Sequence, residues 1–273
     1  MLDSHTHSHY SMDSDTLSDD MVQRAIELGA SYIAITDHYN ADYINIATEY
    51  RDHSKELHYP LNIEGHIADV KRLRSLYGSK ISIALGIECG YSKDAEHYYS
   101  EAIESGEYDV VINSVHTIDH GDIYDPIFYT GKDRDYVMHS YLETIRESID
   151  APYNYNIVGH IGYLARKAPY EDNLITYAEF PREIDGILKA IIERDKCLEC
   201  NAKTKNTPFL FLPGTDILRR YYELGGRRIS YGSDAHMTGR ICEKYDDIAR
   251  VAESIGFEGF TYYIGGQPHI ERF

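Results

Sequence analysis

The chain is poor in positive charge and in cysteine, with 27 Lys and Arg against 45 Asp and Glu and four cysteines in 273 residues. The resulting formal charge of −18 repels phosphate backbones and anionic headgroups, so neither nucleic acid nor a membrane surface is expected as a partner. No apolar run approaches the roughly 18 residues that a membrane-spanning helix requires. Cys89, Cys197, Cys200 and Cys242 lie among apolar neighbours without a signal-peptide pattern ahead of them, which predicts a reducing, cytoplasmic setting. Cys197-Leu198-Glu199-Cys200 has the spacing of a redox or zinc pair. It lacks a second pair to complete a four-thiolate site, and the segment reads as a strand. Low-complexity linkers are also missing, so residues 1–273 read as one domain, long enough for an α/β barrel.

What the chain does contain is a repeated unit: an apolar strand, an imidazole or carboxylate at its end, then an amphipathic helix. In Asp3-Ser4-His5-Thr6-His7, side chains two apart share one strand face, so His5 and His7 can aim at one cation. Helical spacing over 17–29 precedes a strand at 31–35 that ends in Thr36-Asp37-His38. A helix over 67–77 leads to strand 81–87, which runs into Glu88, a carboxylate that needs a positive partner if buried. The pattern continues with helix 95–105, strand 110–115 ending in His116, helix 134–148 and strand 155–158 before His160. Helix 181–195, strand 197–201, helix 214–224 and strand 228–232 follow, the last delivering Asp234 and His236. A helix over 241–255 and a short strand near Phe260 finish the chain, with Phe257, Phe260 and Ile264 expected at the bottom of the barrel. Residues 39–62 and 117–133 lack periodicity and are expected as a substrate-binding loop and as a lid or pocket wall.

Strands alternating with crossover helices predict a parallel sheet. Closure follows from the ligand types at the strand ends, because in an open sheet the outer strands would stand roughly 20 Å from the centre at about 4.8 Å per step. His5, His7, His38, His116, His160 and His236, with Glu88 and Asp234, exceed the three protein ligands of a single catalytic metal and point to two or three divalent ions. His9, His53, His58, His66, His97, His120, His139 and His269 fall in loops or helices, where a solvated or locally bonded role is expected.

His5-Thr6-His7, Thr36-Asp37-His38, Gly86-Ile87-Glu88, Ser114-Val115-His116, Gly159-His160 and Gly232-Ser233-Asp234-Ala235-His236 resemble, in order, the motifs of the PHP superfamily, named for polymerase and histidinol phosphatase. The resemblance covers most of the chain, and residues 158–166 are most similar to the histidinol-phosphatase branch. It implies a distorted seven-stranded (β/α)7 barrel, TIM-barrel-like, with a trinuclear centre of Zn, Mn or Fe. Carried over by position, His5, His7, Glu88 and Asp234 hold the first metal. Glu88 bridges to a second metal completed by His116 and His160, and His38, His236 and Asp13 hold the third. Many relatives have histidine where Asp13 stands; the oxygen donor is expected to tilt that position toward Mn or Fe, with Asp15 as the alternative ligand.

The implied reaction is hydrolysis of L-histidinol phosphate, in histidine biosynthesis, by metal-activated hydroxide attack. The alternative substrates are another small phosphomonoester or phosphotyrosine, and the rival class is a non-catalytic metal-binding or polymerase-associated module. Arg166 is expected to clamp the phosphate with its forked donors, with Lys203, Lys205 and Arg219 as further candidates. Asp234 or His236 is expected to protonate the leaving alkoxide. Glu199 and Asn201, ending the sixth strand, either meet the substrate or brace the ligands. Whether the chain forms a homo-oligomer is left open.

Overall fold

Leu2–Thr6 (β1), Tyr32–Ile35 (β2), Ser82–Gly90 (β3), Val110–Ser114 (β4), Ile157–Val158 (β5), Cys197–Asn201 (β6) and Ile229–Gly232 (β7) are parallel and neighbour one another in chain order. They come from a computed structural model that describes residues 1–45, 61–205 and 207–273. The helices between and after them are Ser18–Glu27 (α1), Ile63–Tyr77 (α2), Glu96–Ser105 (α3), Arg134–Ser148 (α4), Pro181–Glu193 (α5), Thr215–Glu223 (α6) and Tyr245–Ile255 (α7). Their starts follow from local chemistry. Asn62 accepts from Gly65 N ahead of α2, Asp133 accepts from Asp135 N and Tyr136 N ahead of α4, and Pro181 opens α5, where its missing N–H is no loss.

Strands buried on both faces carry near-continuous apolar runs, and Ile33, Ala34, Ile35, Ile112, Leu198, Ile229 and Tyr231 are all fully buried. The barrel closes between β7 and β1, where His7 N donates to Ala235 O at 2.8 Å and Asp234 N to His5 O at 2.8 Å. Asp3 reinforces this seam by accepting from Ser233 N and Cys242 N, both at 2.9 Å. Closure brings the C-terminal strand ends to one mouth, as a (β/α)7 barrel requires.

Several boundaries differ from expectation. Strand β3 runs on through Glu88 to Gly90, because His38–Tyr39 pairs beside it and sets His38 opposite Glu88. Helix α7 starts at Tyr245 rather than 241, since Cys242 and Lys244 adopt left-handed φ values of 56° and 60°. The chain ends in an antiparallel hairpin, Gly259–Ile264 (β8) with Gln267–Arg272 (β9), instead of one short strand. Its turn, Gly265-Gly266, has the positive φ values that two-residue hairpins favour. Phe257 and Phe260 are buried as expected, whereas Ile264 is 42% exposed at the hairpin tip. Residues 117–133 carry a small hairpin, Thr117–Ile118 with Gly121–Asp122, and a 3-10 turn, Pro126–Tyr129, in place of an irregular stretch. Most of the expected 39–62 loop, residues 46–60 with His53 and His58, lies outside the described residues.

Candidate metal centre

Six imidazoles and three carboxylates meet at the barrel mouth. Glu88 lies at the middle, with Oε1 2.8 Å from His160 Nε2 and 3.3 Å from His116 Nε2. Its Oε2 is 2.7 Å from His38 Nδ1, 3.4 Å from His5 Nε2 and 3.6 Å from His7 Nε2. Asp234 Oδ1 lies 3.5 Å from His7 Nε2 and 3.5 Å from His236 Nδ1. Asp13 spans the rim, with Oδ2 2.9 Å from His236 Nε2 and Oδ1 3.6 Å from His38 Nε2; Asp15 is exposed. Asp234 itself has φ 53°, a left-handed backbone rare outside glycine and held here by the bond from its N–H to His5 O.

The donors fit a cluster of cations better than they fit one another. His5 Nδ1 donates to Glu199 Oε1 at 2.6 Å, and His7 Nδ1 to Ser11 Oγ at 3.1 Å, while Ser11 Oγ donates on to Asp37 Oδ1 at 2.6 Å. In the neutral rings both Nε2 atoms therefore present lone pairs, and they face each other at 3.0 Å; without a cation between them, Glu199 and Glu88 overcome burial and raise the His5 pKa, favouring a proton there. His116 Nε2 and His160 Nε2 repeat the arrangement at 3.3 Å. His38 Nδ1 and Glu88 Oε2 are close but misaligned for a hydrogen bond, as two atoms sharing a third body would be. Three overlapping sets of donor atoms lie close enough together to hold an ion: His5, His7 and Asp234; His38, Glu88 and His116; and His7, His38 and His236, with His7 and His38 each shared by two sets.

The electrostatics agree. Burial works against ionising Glu88, but His5, His38 and His116 overcome it and hold the carboxyl well below its usual range. Asp234 is likewise held low against desolvation, by Lys203 and Arg166. His7 and His160 are pushed down by burial and by neighbouring cationic groups, which keeps their lone pairs available. His38, in contrast, is raised to about 9, because Glu88 and Asp13 outweigh its burial. The positions next to the acids thus favour positive charge, whether a proton or a metal carries it.

Around the donors stands a set of supports. Glu199 links two of them, through His5 Nδ1 and by accepting from His160 N at 2.6 Å. Asn201 accepts from Arg166 Nη2 at 2.8 Å, so both residues of the sixth strand that were open to either role touch ligands or their neighbours. Arg166 is buried, with Nη1 donating to Asp234 Oδ2 at 3.0 Å and its guanidinium 4.7 Å over the Tyr163 ring. Lys203 Nζ reaches Asp234 Oδ1 at 3.0 Å and lies 3.2 Å from His236 Nδ1, whereas Lys205 and Arg219 are exposed. Asp37 had no role assigned from sequence; it accepts from Ser8 N, Ser8 Oγ and Ser11 Oγ and lies 3.3 Å from the buried His66 Nε2. Its place immediately before His38 was the available signal. Among the other histidines, His9 and His120 are exposed.

The sequence pattern of the PHP domain family matches residues 3–203. A histidinol-phosphatase of Lactococcus lactis subsp. lactis (strain IL1403) is 30% identical over 266 residues, which cover 97% of this chain and 94% of that protein. A crystal structure of histidinol phosphate phosphatase from Lactococcus lactis subsp. lactis Il1403, complexed with Zn, L-histidinol and phosphate, matches with TM-score 0.86 and 28% identity over 98% of each chain. A structure from Listeria monocytogenes shares the fold with TM-score 0.78 at 20% identity, covering 90% of this chain and 99% of that one. Since the family match takes in six barrel strands and every clustered donor but Asp234 and His236, which the seventh strand supplies, the chain belongs to the PHP domain family.

Proposed function

We propose that this chain is a metal-dependent phosphomonoesterase that hydrolyses L-histidinol phosphate to L-histidinol and phosphate, with residues 1–273 as one catalytic unit. The observation that carries the reading is the convergence at the barrel mouth of overlapping donor sets, with Glu88 between His116 and His160 and Asp13 between His38 and His236. Similarity to a phosphatase complexed with Zn, L-histidinol and phosphate supports the substrate. We assign His5, His7, Glu88 and Asp234 to the first metal, Glu88, His116 and His160 to the second, and Asp13, His38 and His236 to the third. Bound divalent metals would supply Lewis-acid polarisation of the phosphoryl group and a water of lowered pKa.

The protein's own groups do the rest. Glu199 and the Ser11–Asp37 pair fix the tautomers of His5 and His7, so that both rings offer Nε2. Lys203, partly exposed beside Asp234 and His236, brings a positive charge to the side where phosphoryl oxygens would enter. Arg166, bonded to Asp234 and Asn201, holds that carboxylate in place and adds positive potential for the same oxygens. Burial of Glu88, His5, His7 and His160 strengthens each of these interactions relative to water.

A panel of phosphomonoesters tests the substrate, and elemental analysis tests the metals. L-Histidinol phosphate should lead the panel in kcat/KM; equal, weak turnover of every ester would remove it as substrate. His116→Ala should abolish activity while the fold persists, and full activity in that variant would overturn the metal assignment.

A further inference from the structure

Lys203 is pinned by the backbone on both sides of it. Its N–H donates to Asn201 Oδ1 at 2.9 Å, and its carbonyl accepts from Arg166 Nε at 2.8 Å. Ala202 N donates to Gly232 O at 2.8 Å, while Lys244 Nζ donates to Ala202 O at 3.1 Å and to Thr204 Oγ1 at 2.7 Å. The Lys203 ammonium is thereby delivered to the rim of the donor cluster, 3.0 Å from Asp234 Oδ1 and 3.2 Å from His236 Nδ1. Arg166 takes the other Asp234 oxygen. This rim is the open side of the cluster. The Asp13 side chain is 51% exposed and those of His38 and His236 are 12% and 14% exposed, against 4% or less for the ligands assigned to the first and second metals.

His236 has two neutral tautomers, and each finds partners here. With the proton on Nδ1, the ring donates to Asp234 O at 3.0 Å and leaves the Nε2 lone pair beside Asp13 for a cation. With the proton on Nε2, that N–H faces Asp13 Oδ2 at 2.9 Å, and Nδ1 accepts from Lys203 Nζ at 3.2 Å. An ammonium group has donors only, so Lys203 favours the second form, in which His236 and Asp13 satisfy each other instead of a metal. Resting on the metal-centre reading of this site, we propose that Lys203 is a positioning residue that holds His236 in its Nε2–H form and so makes the third position, at Asp13, His38 and His236, the weakest of the three. An ion enters there only when its free concentration is high enough to move the ring proton to Nδ1.

Two measurements on the full chain test this. In the first, Zn is titrated against a chromophoric chelator. Wild type should take up two ions tightly and a third roughly 10- to 100-fold more weakly, and Lys203→Met, which keeps the length but removes the charge and the donors, should recover that factor at the third ion. In the second, long-range 1H–15N spectra of the metal-free protein, with the His236 signals assigned by His236→Gln, read the tautomer itself. The ring should carry its proton on Nε2 in wild type and on Nδ1 in Lys203→Met. Equal gains at all three ions would reduce Lys203 to a source of positive field and overturn the proposal, as would an Nδ1–H ring in wild type, which decides the matter even if Lys203→Met does not fold. Three equally tight ions in wild type would remove the proposal alone, whereas a chain that binds no Zn would remove the metal-centre reading and the proposal with it.

Discussion

Glu199→Gln puts the metal assignment to its hardest test, because the change is isosteric and far from solvent. Glu199 serves two donors at once, His5 Nδ1 and the His160 amide, each 2.6 Å from a different carboxylate oxygen. Glutamine has one oxygen. If that oxygen takes the His160 amide, the new NH2 group faces His5 Nδ1 and forces the ring proton onto Nε2, the atom that has to bind metal. If it takes His5 instead, two N–H groups confront each other in a site 1% exposed. Either way the charge-assisted bonds of the carboxylate, worth about 1.5–3 kcal/mol each, give way to neutral ones, and in the second case a buried donor stays unsatisfied. Metal affinity should fall 10- to 100-fold, or roughly 1.4–2.7 kcal/mol, measured by competition with a chromophoric chelator. Activity should return toward wild type as free metal is raised. Wild-type affinity in Glu199→Gln would refute the claim that this carboxylate sets the His5 tautomer.

Two further perturbations separate packing from charge. Gly232→Ala would set a methyl group 2.5 Å from His5 Cβ and against the Glu199 carboxylate. Neither neighbour can retreat without moving a strand, so about 1–3 kcal/mol of stability and part of the metal affinity should be lost; denaturant midpoints with and without metal check both, and an unchanged pair counts against the close packing at the β1–β7 seam. Asp42, buried and bonded to Tyr99 and Thr117, is raised by desolvation to about 7, with His116 and Asp122 the charged neighbours that oppose and reinforce the shift. Its folded pKa lies above the unfolded value near 4, so its contribution is favourable at low pH and lost as pH rises from about 4 through 7. Asp42→Asn in metal-free protein should therefore raise Tm at pH 8, by up to about 4 kcal/mol of stability, and leave it little changed at pH 4.5. A variant destabilised equally at both pH values would contradict the desolvation argument.

The metal donors were legible because type and place coincide: an imidazole or carboxylate at the end of an apolar strand has few structural reasons to be there. His5, His7, His116 and His160 needed only the period of two and a count of strands. Their supports were harder to read, because the bonds that make them supports join distant parts of the chain. Glu199 lies 194 residues from the His5 ring it orients, and Asp3 lies 239 residues from the Cys242 amide it binds. Nothing local to Glu199 distinguishes a substrate contact from a ligand brace; barrel closure decides it by bringing His5 on β1 against β7, the neighbour of β6. The same holds for Arg166. Its proximity to His160 was visible, but its pairing with Asp234 depends on where the seventh strand arrives. The terminal hairpin is a different case, since Gly265-Gly266 was a usable turn signal that the single-strand reading passed over. Local chemistry thus announces which atoms bind cations, while the preference for one protonation state or one substrate is written in contacts that exist only after the barrel has closed.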